Sequence, residues 1–313
     1  MAQVVDIDLT REALSSSTLS HGLKLMGDRW TLQVLLGAFL GLRKFDEWHT
    51  HLGIPRHTLA DRIKTLVQVD VFRPRLYQER PERYGYHFTP KGLALYDTAL
   101  MTWLWEVQYG EPNQSLPRRL VHQTCGHSLI PEMACSACGD TVLISDLSFR
   151  LKPNPRLPHD TSSLFRSVRM SASSPLGLNV GLWSERWCLM IVAAVLLGCH
   201  YFDQISAVLR ISPNVLTQRL KHMVNSGWLQ CEQDRGDARR RIYRLTPSSR
   251  ALFGYIACLT HWAGSQHFHE HSSILPIHGS CGQPFVARVQ CSHCHQPPQP
   301  WDVVVEFSKE KSA

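Results

Sequence analysis

The chain has 313 residues, and 33 Lys and Arg against 26 Asp and Glu give a formal net charge of +7. This length suffices for two or more domains with hydrophobic cores, and the basic balance favours a polyanionic partner. The N-terminus has no apolar segment of signal-peptide length, and the longest apolar run, 188–199, is too short to cross a bilayer. We therefore expect a cytoplasmic protein without a membrane segment.

An internal repeat organises the chain. Trp30 recurs as Trp187, 157 residues later, and residues 30–105 align with 187–262 at the same offset without a gap. The matching positions are apolar, turn-forming or basic. The sequence therefore indicates a duplicated domain.

Each copy predicts the same order of elements. An apolar helix, a short second helix and a tight turn lead to an amphipathic third helix, as in a helix-turn-helix. The hydrophobic period then changes from helical to alternating, which predicts a β-hairpin, or wing, and a Thr-Pro pair predicts the start of a final helix. The three helices and the wing are expected at 30–40, 45–51, 54–72 and 72–89 in copy one, and at 187–197, 202–209, 212–225 and 229–246 in copy two.

Six of the ten cysteines belong to a repeated metal-ligand pattern. The pattern His122-x2-Cys125-x9-Cys135-x2-Cys138 recurs with identical spacing as His278-x2-Cys281-x9-Cys291-x2-Cys294. Paired ligands with two residues between them can bend round one metal, and one His with three Cys suits a closed tetrahedral Zn²⁺ site. We expect two structural zinc sites, one from the four ligands of each copy, and free thiols at the remaining cysteines.

Two alternatives accompany this pattern. Three further imidazoles, those of His127, His293 and His295, are either additional metal ligands or have no metal role. A catalytic zinc is not expected, because four soft ligands leave no open position and Thr124 stands where zinc deaminases have a catalytic Glu. No other nucleophile–base pattern is present in the sequence, which therefore predicts no enzyme.

The predicted fold class is α+β, mainly α, with two tandem winged helix-turn-helix domains, each followed by a small zinc ribbon. A segment rich in Pro, Ser and Arg between the copies predicts a linker. The expected boundaries are 1–14 for a loosely ordered N-terminal tail, 15–115 for the first winged helix, 116–152 for the first ribbon, 153–174 for the linker, 175–270 for the second winged helix and 271–309 for the second ribbon.

The sequence resembles the HxlR-type winged-helix family of bacterial transcription regulators. The resemblance rests on LKLMGDRWTLQVLLGAFLGLRKFDEWHTHLGIPRHTLADRIKTLVQVDVF and the following YQERPERYGYHFTPKGLAL in copy one. Copy two keeps Arg186-Trp187 and the IS-x-x-x-L-x-x-RLK pattern at 211–221, but lacks the Glu-x-Pro of the wing. Several family members carry a redox-reactive Cys-Pro before the first helix, whereas Ser17-Thr18 and Ser174-Pro175 stand here, so the resemblance does not extend to thiol sensing.

The resemblance implies sequence-specific DNA binding by the third helix and the wing of each copy. Residues expected to read base edges are Arg56, His57, Thr58 and Lys64 in copy one and Asn214, Thr217, Gln218 and Lys221 in copy two. Arg62 and Arg219 are expected to contact phosphate, with a salt bridge inside the domain as the alternative. The wing arginines expected at phosphate or the minor groove are Arg80, Arg83, Arg235, Arg239, Arg240 and Arg241.

Two functions are consistent with the sequence. The first is a DNA-binding transcriptional regulator, a repressor, that reads an operator with two winged helices per chain. The alternative is a protein-interaction adaptor based on the zinc ribbons, in which one or both winged helices no longer read DNA. Double-stranded DNA, a second copy of the chain and a small-molecule effector are the expected partners. The aromatic residues of the last helices, such as Trp103 and Trp262, form either a packing seam or an effector pocket.

Overall fold

A computed structural model describes residues 5–26, 28–111, 116–152, 186–234, 236–267 and 273–307. The predicted linker at 153–174 and Arg235 lie outside the described residues. In the part of the chain that is described, no helix is both long and apolar enough to cross a membrane.

The described residues form helices and short antiparallel strands in the predicted order. The helices are α1 (Ile7–Ser15), α2 (Thr18–Met26), α3 (Arg29–Phe39), α4 (Phe45–Leu52), α5 (Arg56–Gln68), α6 (Pro90–Leu93), α7 (Tyr96–Tyr109), α8 (Arg186–Leu196), α9 (Phe202–Leu209), α10 (Pro213–Asn225), α11 (Pro247–Ala251) and α12 (Phe253–His267). The strands are β1 (Phe72–Glu79), β2 (Glu82–Phe88), β3 (Arg119–His122), β4 (His127–Ser128), β5 (Pro131–Cys135), β6 (Leu147–Leu151), β7 (Leu229–Gln233), β8 (Arg241–Leu245), β9 (Ile274–His278), β10 (Ala287–Cys291) and β11 (Val303–Glu306).

The chain divides into two compact units, and each contains one winged helix. The copy-one unit contains the described residues within 25–134 and 288–307, and the copy-two unit contains those within 5–24, 135–152 and 186–287. Each unit therefore takes its extension strands from both copies. The two ribbons expected as continuous segments, at 116–152 and 271–309, are not formed in that way.

In the copy-one unit, α3, α4, α5 and the β1–β2 hairpin enclose one core. The apolar stripe of α5, which consists of Leu59, Ile63 and Leu66, is buried as the helical spacing predicts. Trp48 of α4 is fully buried, and its indole N–H donates to the carbonyl oxygen of Val34 at 3.1 Å. Gly53 ends α4 with a φ of 57°, a left-handed conformation that glycine adopts at little cost. These contacts hold α5 against the core and leave its opposite face exposed.

The copy-two unit repeats this arrangement. Leu216, Leu220 and Met223 of α10 are buried, and β7 and β8 form the second wing. At the turn between α9 and α10, Arg210 takes the place of Gly53 and has a φ of 50°. A left-handed conformation at a residue with a side chain costs roughly 1 kcal/mol. The turn geometry is therefore kept although the glycine is absent.

The N-terminal segment differs from the prediction of a loosely ordered tail. Residues Ile7–Ser15 form α1, whose N-terminus is capped by Asp6 through a 3.0 Å bond from the Leu9 N–H. Thr10, Ala13 and Leu14 are buried and lie on one helical face, and α1 packs against α9 in the copy-two unit. The stripe is only two turns long and lies between acidic residues, so the sequence alone gave little indication of it.

Strand pairing in the extensions crosses between the copies. In the copy-one unit β11 pairs with β3, so that Val303 lies opposite His122. In the copy-two unit β6 pairs with β9, so that Leu147 lies opposite His278. The strand that follows the second ligand pair of one copy thus joins the strand that precedes the first ligand pair of the other.

Candidate nucleic-acid interface and metal clusters

The N-terminal half of α5 presents polar side chains to solvent. Arg56, His57 and Lys64 are exposed, and Thr58 is half-buried. The guanidinium of Arg56 donates to Asp46 at 3.1 Å, and the hydroxyl of Thr58 lies 3.1 Å from Nε2 of His57. The ion pair is exposed at both partners and is therefore weak. The four residues predicted to read bases in copy one share the solvent-facing side of α5.

The equivalent helix of copy two, α10, also has an exposed polar face. Asn214, Thr217, Gln218 and Lys221 are all exposed. Thr217 donates its hydroxyl hydrogen to the carbonyl oxygen of Pro213 at 2.8 Å, within the first turn of the helix. This face has one cation, whereas the face of α5 has two. The two helices therefore present different chemistry at corresponding positions.

The structure does not place Arg62 and Arg219 at this surface. Arg62 donates to Asp28 at 2.5 Å, and its side chain is 31% exposed. Arg219 is only 7% exposed, too little for contact with a phosphate. The sequence offered a salt bridge inside the domain as the alternative for these two residues. Arg62 makes that bridge, and neither residue is retained in the interface proposed below.

The first wing carries the predicted arginines and two further exposed arginines that were not predicted. Arg80 and Arg83, at its tip, are exposed, and so are Arg73 and Arg75 on β1. Burial and the charges of Arg75, Arg43 and Arg73 lower the pKa of His87, which lies opposite Arg73. The alternation Arg-x-Arg at 73–75 is a strand signal that would have identified both residues. This side of the wing is therefore electropositive.

The second wing is only partly free to bind an anion. Arg239 and Arg241 are exposed, whereas Arg240 donates to Asp203 at 2.8 Å and stacks 4.0 Å from the centre of the Tyr201 ring. Arg240 therefore ties the wing to the N-terminus of α9. Arg244 on β8, which was not predicted, is also exposed.

In the extensions, each metal-ligand pair begins at the last residue of a strand. The four strands are β3, β5, β9 and β10, which end at His122, Cys135, His278 and Cys291. Gly126, Gly139, Gly282 and His295 follow the four pairs, all with positive φ, and each donates its N–H to the carbonyl of the first ligand at 2.8 to 2.9 Å. The four turns thus share one geometry, and glycine adopts it without strain at three of them.

One cluster of four ligands lies in the copy-one unit and combines His122, Cys125, Cys291 and Cys294. Nδ1 of His122 lies 3.6 Å from the sulfur of Cys125 and 3.3 Å from that of Cys294, and the sulfurs of Cys125 and Cys291 are 4.0 Å apart. Tetrahedral zinc with bonds of about 2.0 to 2.3 Å places its ligand atoms about 3.5 to 3.8 Å apart. The cluster fits such an ion.

The surroundings of this cluster shift the pKa values of its thiols in opposite directions, and burial raises the pKa of Cys294. The backbone N–H of His127 is the largest cause that lowers the pKa of Cys125, to about 6. On the opposite side of the ring of His122, Nε2 lies 3.6 Å from a carboxylate oxygen of Asp302. Carboxylates in this position orient the ring of a ligand histidine. His127 and His293 stack at 3.4 Å beside Cys125 and are exposed, and their role as additional ligands stays a hypothesis.

The second cluster lies in the copy-two unit and combines Cys135, Cys138, His278 and Cys281. Nδ1 of His278 is 3.4 Å from the sulfurs of both Cys138 and Cys281. Within each cluster the ligand atoms all lie within 4.8 Å of one another. The donor set, one imidazole and three thiols, is the same in both clusters.

The eight Cys and His residues that the sequence predicted as ligands lie in two clusters of four, but the sets of four differ from the prediction. The prediction grouped the four ligands of each copy, whereas each cluster contains the first pair of one copy and the second pair of the other. The cause is the pairing of β5 with its repeat counterpart β10. The Ser292 N–H donates to Ile130 at one end of this ladder, and the Ser136 N–H donates to Val286 at the other. The strands are therefore antiparallel, and each delivers its C-terminal ligand pair to the first pair of the other copy.

Part of this chain is similar in sequence to known proteins. An uncharacterized HTH-type transcriptional regulator of Mycobacterium bovis is 36% identical over 125 residues, which cover 40% of this chain and 79% of that protein. A regulator of the same description from Mycobacterium tuberculosis H37Rv has the same identity and coverage. A solved structure of a transcription-factor candidate from Pseudomonas aeruginosa is 30% identical, covers 40% of this chain and 84% of that chain, and has a TM-score of 0.30.

A family model, described as HxlR-like helix-turn-helix, matches this chain twice, at residues 25–114 and 182–271. The two matches together span more than half of the chain, and each contains one complete winged helix. The chain therefore belongs to the HxlR-like helix-turn-helix family, and it contains the family's domain in two copies.

Proposed function

We propose that the chain is a DNA-binding transcriptional regulator with two recognition helices, α5 and α10. One observation carries this proposal: in a chain of the HxlR-like family, each of these helices exposes polar side chains at its N-terminal half beside a basic wing. The relatives from the two mycobacteria, which are described as transcriptional regulators, support the same function.

The proposed DNA contacts are of two kinds: contacts with base edges and contacts with backbone phosphates. The exposed residues of α5 and α10 would meet base edges in the major groove, where bidentate pairs distinguish the four base pairs. The wing arginines would hold phosphates, and we add Arg73, Arg75 and Arg244 to those predicted because all three are exposed on wing strands. Each phosphate contact releases counterions, so affinity falls steeply as the salt concentration rises.

The operator we infer is asymmetric. The N-terminal sequences of the two helices are PRHTLADR and SPNVLTQR. At corresponding positions α5 has Arg56 and His57, and α10 has Pro213 and Asn214. Arginine favours guanine, whereas asparagine favours adenine, so the two helices would select different half-sites. One chain then supplies two readers, and pairing with a second copy stays a prediction.

We further propose that each Cys₃His cluster holds one structural Zn²⁺. The bound ion would link two segments that are far apart in the sequence, and its four ligands leave no position for a reacting water. The test is metal analysis of the purified chain, with two zinc ions per chain as the expected result. A chain that is folded after exhaustive chelation and binds no added zinc would contradict this part.

The test of DNA binding begins with selection from a random double-stranded pool. The affinity of the selected sequence is then measured at several salt concentrations. Arg241→Ala should weaken binding and reduce the salt slope by about 1, because one phosphate contact is lost. Arg250→Ala, which removes an exposed cation from α11, is the matched control and should leave the slope unchanged. We expect repression, read as lower output from a promoter that carries the selected site.

The outcome that favours the adaptor is distinct. If the zinc-loaded chain selects no sequence, and its weak retention on random DNA is the same for both variants, the winged helices do not read DNA. The chain would then act through protein contacts.

A further inference from the structure

A cavity of about 280 Å³ lies in the copy-two unit between α8, α12 and the two-stranded sheet of β6 and β9. Ala193 and Leu196 of α8, Thr260 and Gly264 of α12, and Phe149 and Pro276 of the two strands line it. The cavity is partly open to solvent, since Val286, one of its lining residues, is 41% exposed. A small molecule could therefore reach it from solution.

The other copy shows what closes the same space. The corresponding cavity of the copy-one unit measures only about 60 Å³. At the repeat offset, Ala193 corresponds to Leu36 and Thr260 to Trp103, and both counterparts line the smaller cavity. The indole N–H of Trp103 donates to the carbonyl oxygen of Pro117 at 2.8 Å, which fixes the ring there. Copy two thus has smaller side chains at the two positions that are filled in copy one.

The lining of the larger cavity indicates the chemistry of an occupant. No Asp, Glu, Lys or Arg is among its lining residues, and three of them are phenylalanines, at 149, 253 and 285. The polar side chains are hydroxyls, such as those of Thr18 and Thr260, and the imidazole of His261. A charged molecule would lose its hydration without a paired ion, whereas a neutral aromatic molecule would pack against the phenylalanine rings.

We propose that this cavity binds a neutral aromatic molecule of one or two rings that carries one hydroxyl group. An apolar cavity of about 150 Å³ accepts benzene, so a cavity nearly twice as large suits a molecule of bicyclic size. The hydroxyl would face Thr260 and His261, and the rings would lie among the phenylalanines. This site is separate from the proposed DNA contacts and does not depend on them.

The test uses 1-naphthol as the probe and the full zinc-loaded chain without DNA. Equilibrium dialysis should give saturable binding of one molecule per chain. The double variant Ala193→Leu/Thr260→Trp restores the side chains of copy one and should weaken binding at least about tenfold, because the added atoms fill the cavity. The anion 1-naphthalenesulfonate should bind much more weakly than 1-naphthol to the wild-type chain.

Two controls keep the result decisive. Trp103→Phe alters the corresponding position of the copy-one unit and should leave naphthol binding within a factor of two, because Trp103 does not line the larger cavity. If the double variant loses its helical circular dichroism, the smaller change Thr260→Leu replaces it and should still weaken binding. Absence of saturable binding by the wild-type chain, or equal binding by a folded, filled variant, would overturn the proposal.

Discussion

Asp302 and its counterpart in the other copy, Asp146, occupy equivalent turns but have different neighbours. Each carboxylate accepts a hydrogen bond from the backbone N–H of the residue three positions earlier. Asp302 accepts from Gln299 at 2.7 Å, and Asp146 accepts from Leu143 at 2.8 Å. Asp302 also directs its second oxygen towards Nε2 of buried His122, 3.6 Å away. The second carboxylate oxygen of Asp146 instead accepts a hydrogen bond from the hydroxyl of Ser145. The two Cys₃His clusters thus differ in the charge behind their histidine.

We expect Asp302→Asn to weaken zinc binding by the copy-one cluster about tenfold or more. The amide keeps the oxygen that caps Gln299 but removes the negative charge that supports His122. The measurement is competition with a chromogenic chelator, in which the tighter and weaker sites are resolved. Asp146→Asn is the matched control and should leave both affinities unchanged. Equal loss from the two variants would show that turn stability, and not the charge, is responsible.

At the scale of single residues, the Cys and His residues of the clusters could be predicted from the sequence, whereas the residues that support them could not. The repeated Cys and His spacing indicated all eight residues that the structure brings into the two clusters, because paired residues two apart are typical of metal-ligand turns. Asp302 lies between Trp301 and Val303, with no spacing rule that separates it from other acidic residues. The exposure of Arg241 and the burial of Arg219 also depend on packing, which a basic residue in a helix pattern does not reveal.

Among the elements, α3 and α5 are joined by one carboxylate. Asp28 caps α3, where it accepts the backbone N–H of Thr31 at 3.1 Å, and it also receives the guanidinium of Arg62 from α5. The cap and the ion pair therefore depend on each other. Any change at this residue acts on the helix start and on the position of the recognition helix together.

Asp28→Ala should lower the free energy of unfolding by about 1 to 2 kcal/mol, the usual cost of a lost N-cap. Arg62 loses its partner in the same variant, so the upper part of this range is expected. Asp46→Ala is the comparison, since its exposed pairs with Arg56 and Arg83 should together contribute less than about 1 kcal/mol. Urea unfolding followed by circular dichroism measures both variants. An equal effect of the two would mean that the cap contributes little.

The positions of the helices and wings could be predicted from the sequence, but the pairing of the extension strands could not. The change from helical to alternating periodicity located α5, α10 and both wings to within a few residues, because each depends on neighbours in sequence. The pairing of β6 with β9 joins residues 147–151 to 274–278. Two copies with identical spacing offer each strand two equivalent partners, and periodicity cannot choose between them.

At the scale of the whole molecule, each cluster combines residue pairs from both copies, so each compact unit depends on both copies. The cluster of the copy-one unit needs Cys291 and Cys294, which follow the second winged helix in the sequence. The cluster of the copy-two unit needs Cys135 and Cys138, which precede it. A half-chain that ends in the segment between the copies keeps only four of the eight cluster residues, two from each cluster. It therefore cannot build either cluster as found in the full chain.

Two double variants distinguish the exchanged clusters from clusters built within each copy. Cys125→Ser/Cys291→Ser removes two ligands from one exchanged cluster, so after dialysis against a chelator one zinc ion per chain should remain. Cys125→Ser/Cys135→Ser removes one ligand from each exchanged cluster, and both ions should be lost. Clusters built within each copy require the opposite pattern, because Cys125 and Cys135 would then belong to the same site. Both variants remove two thiols, so the number of lost cysteines cannot account for a difference in metal content.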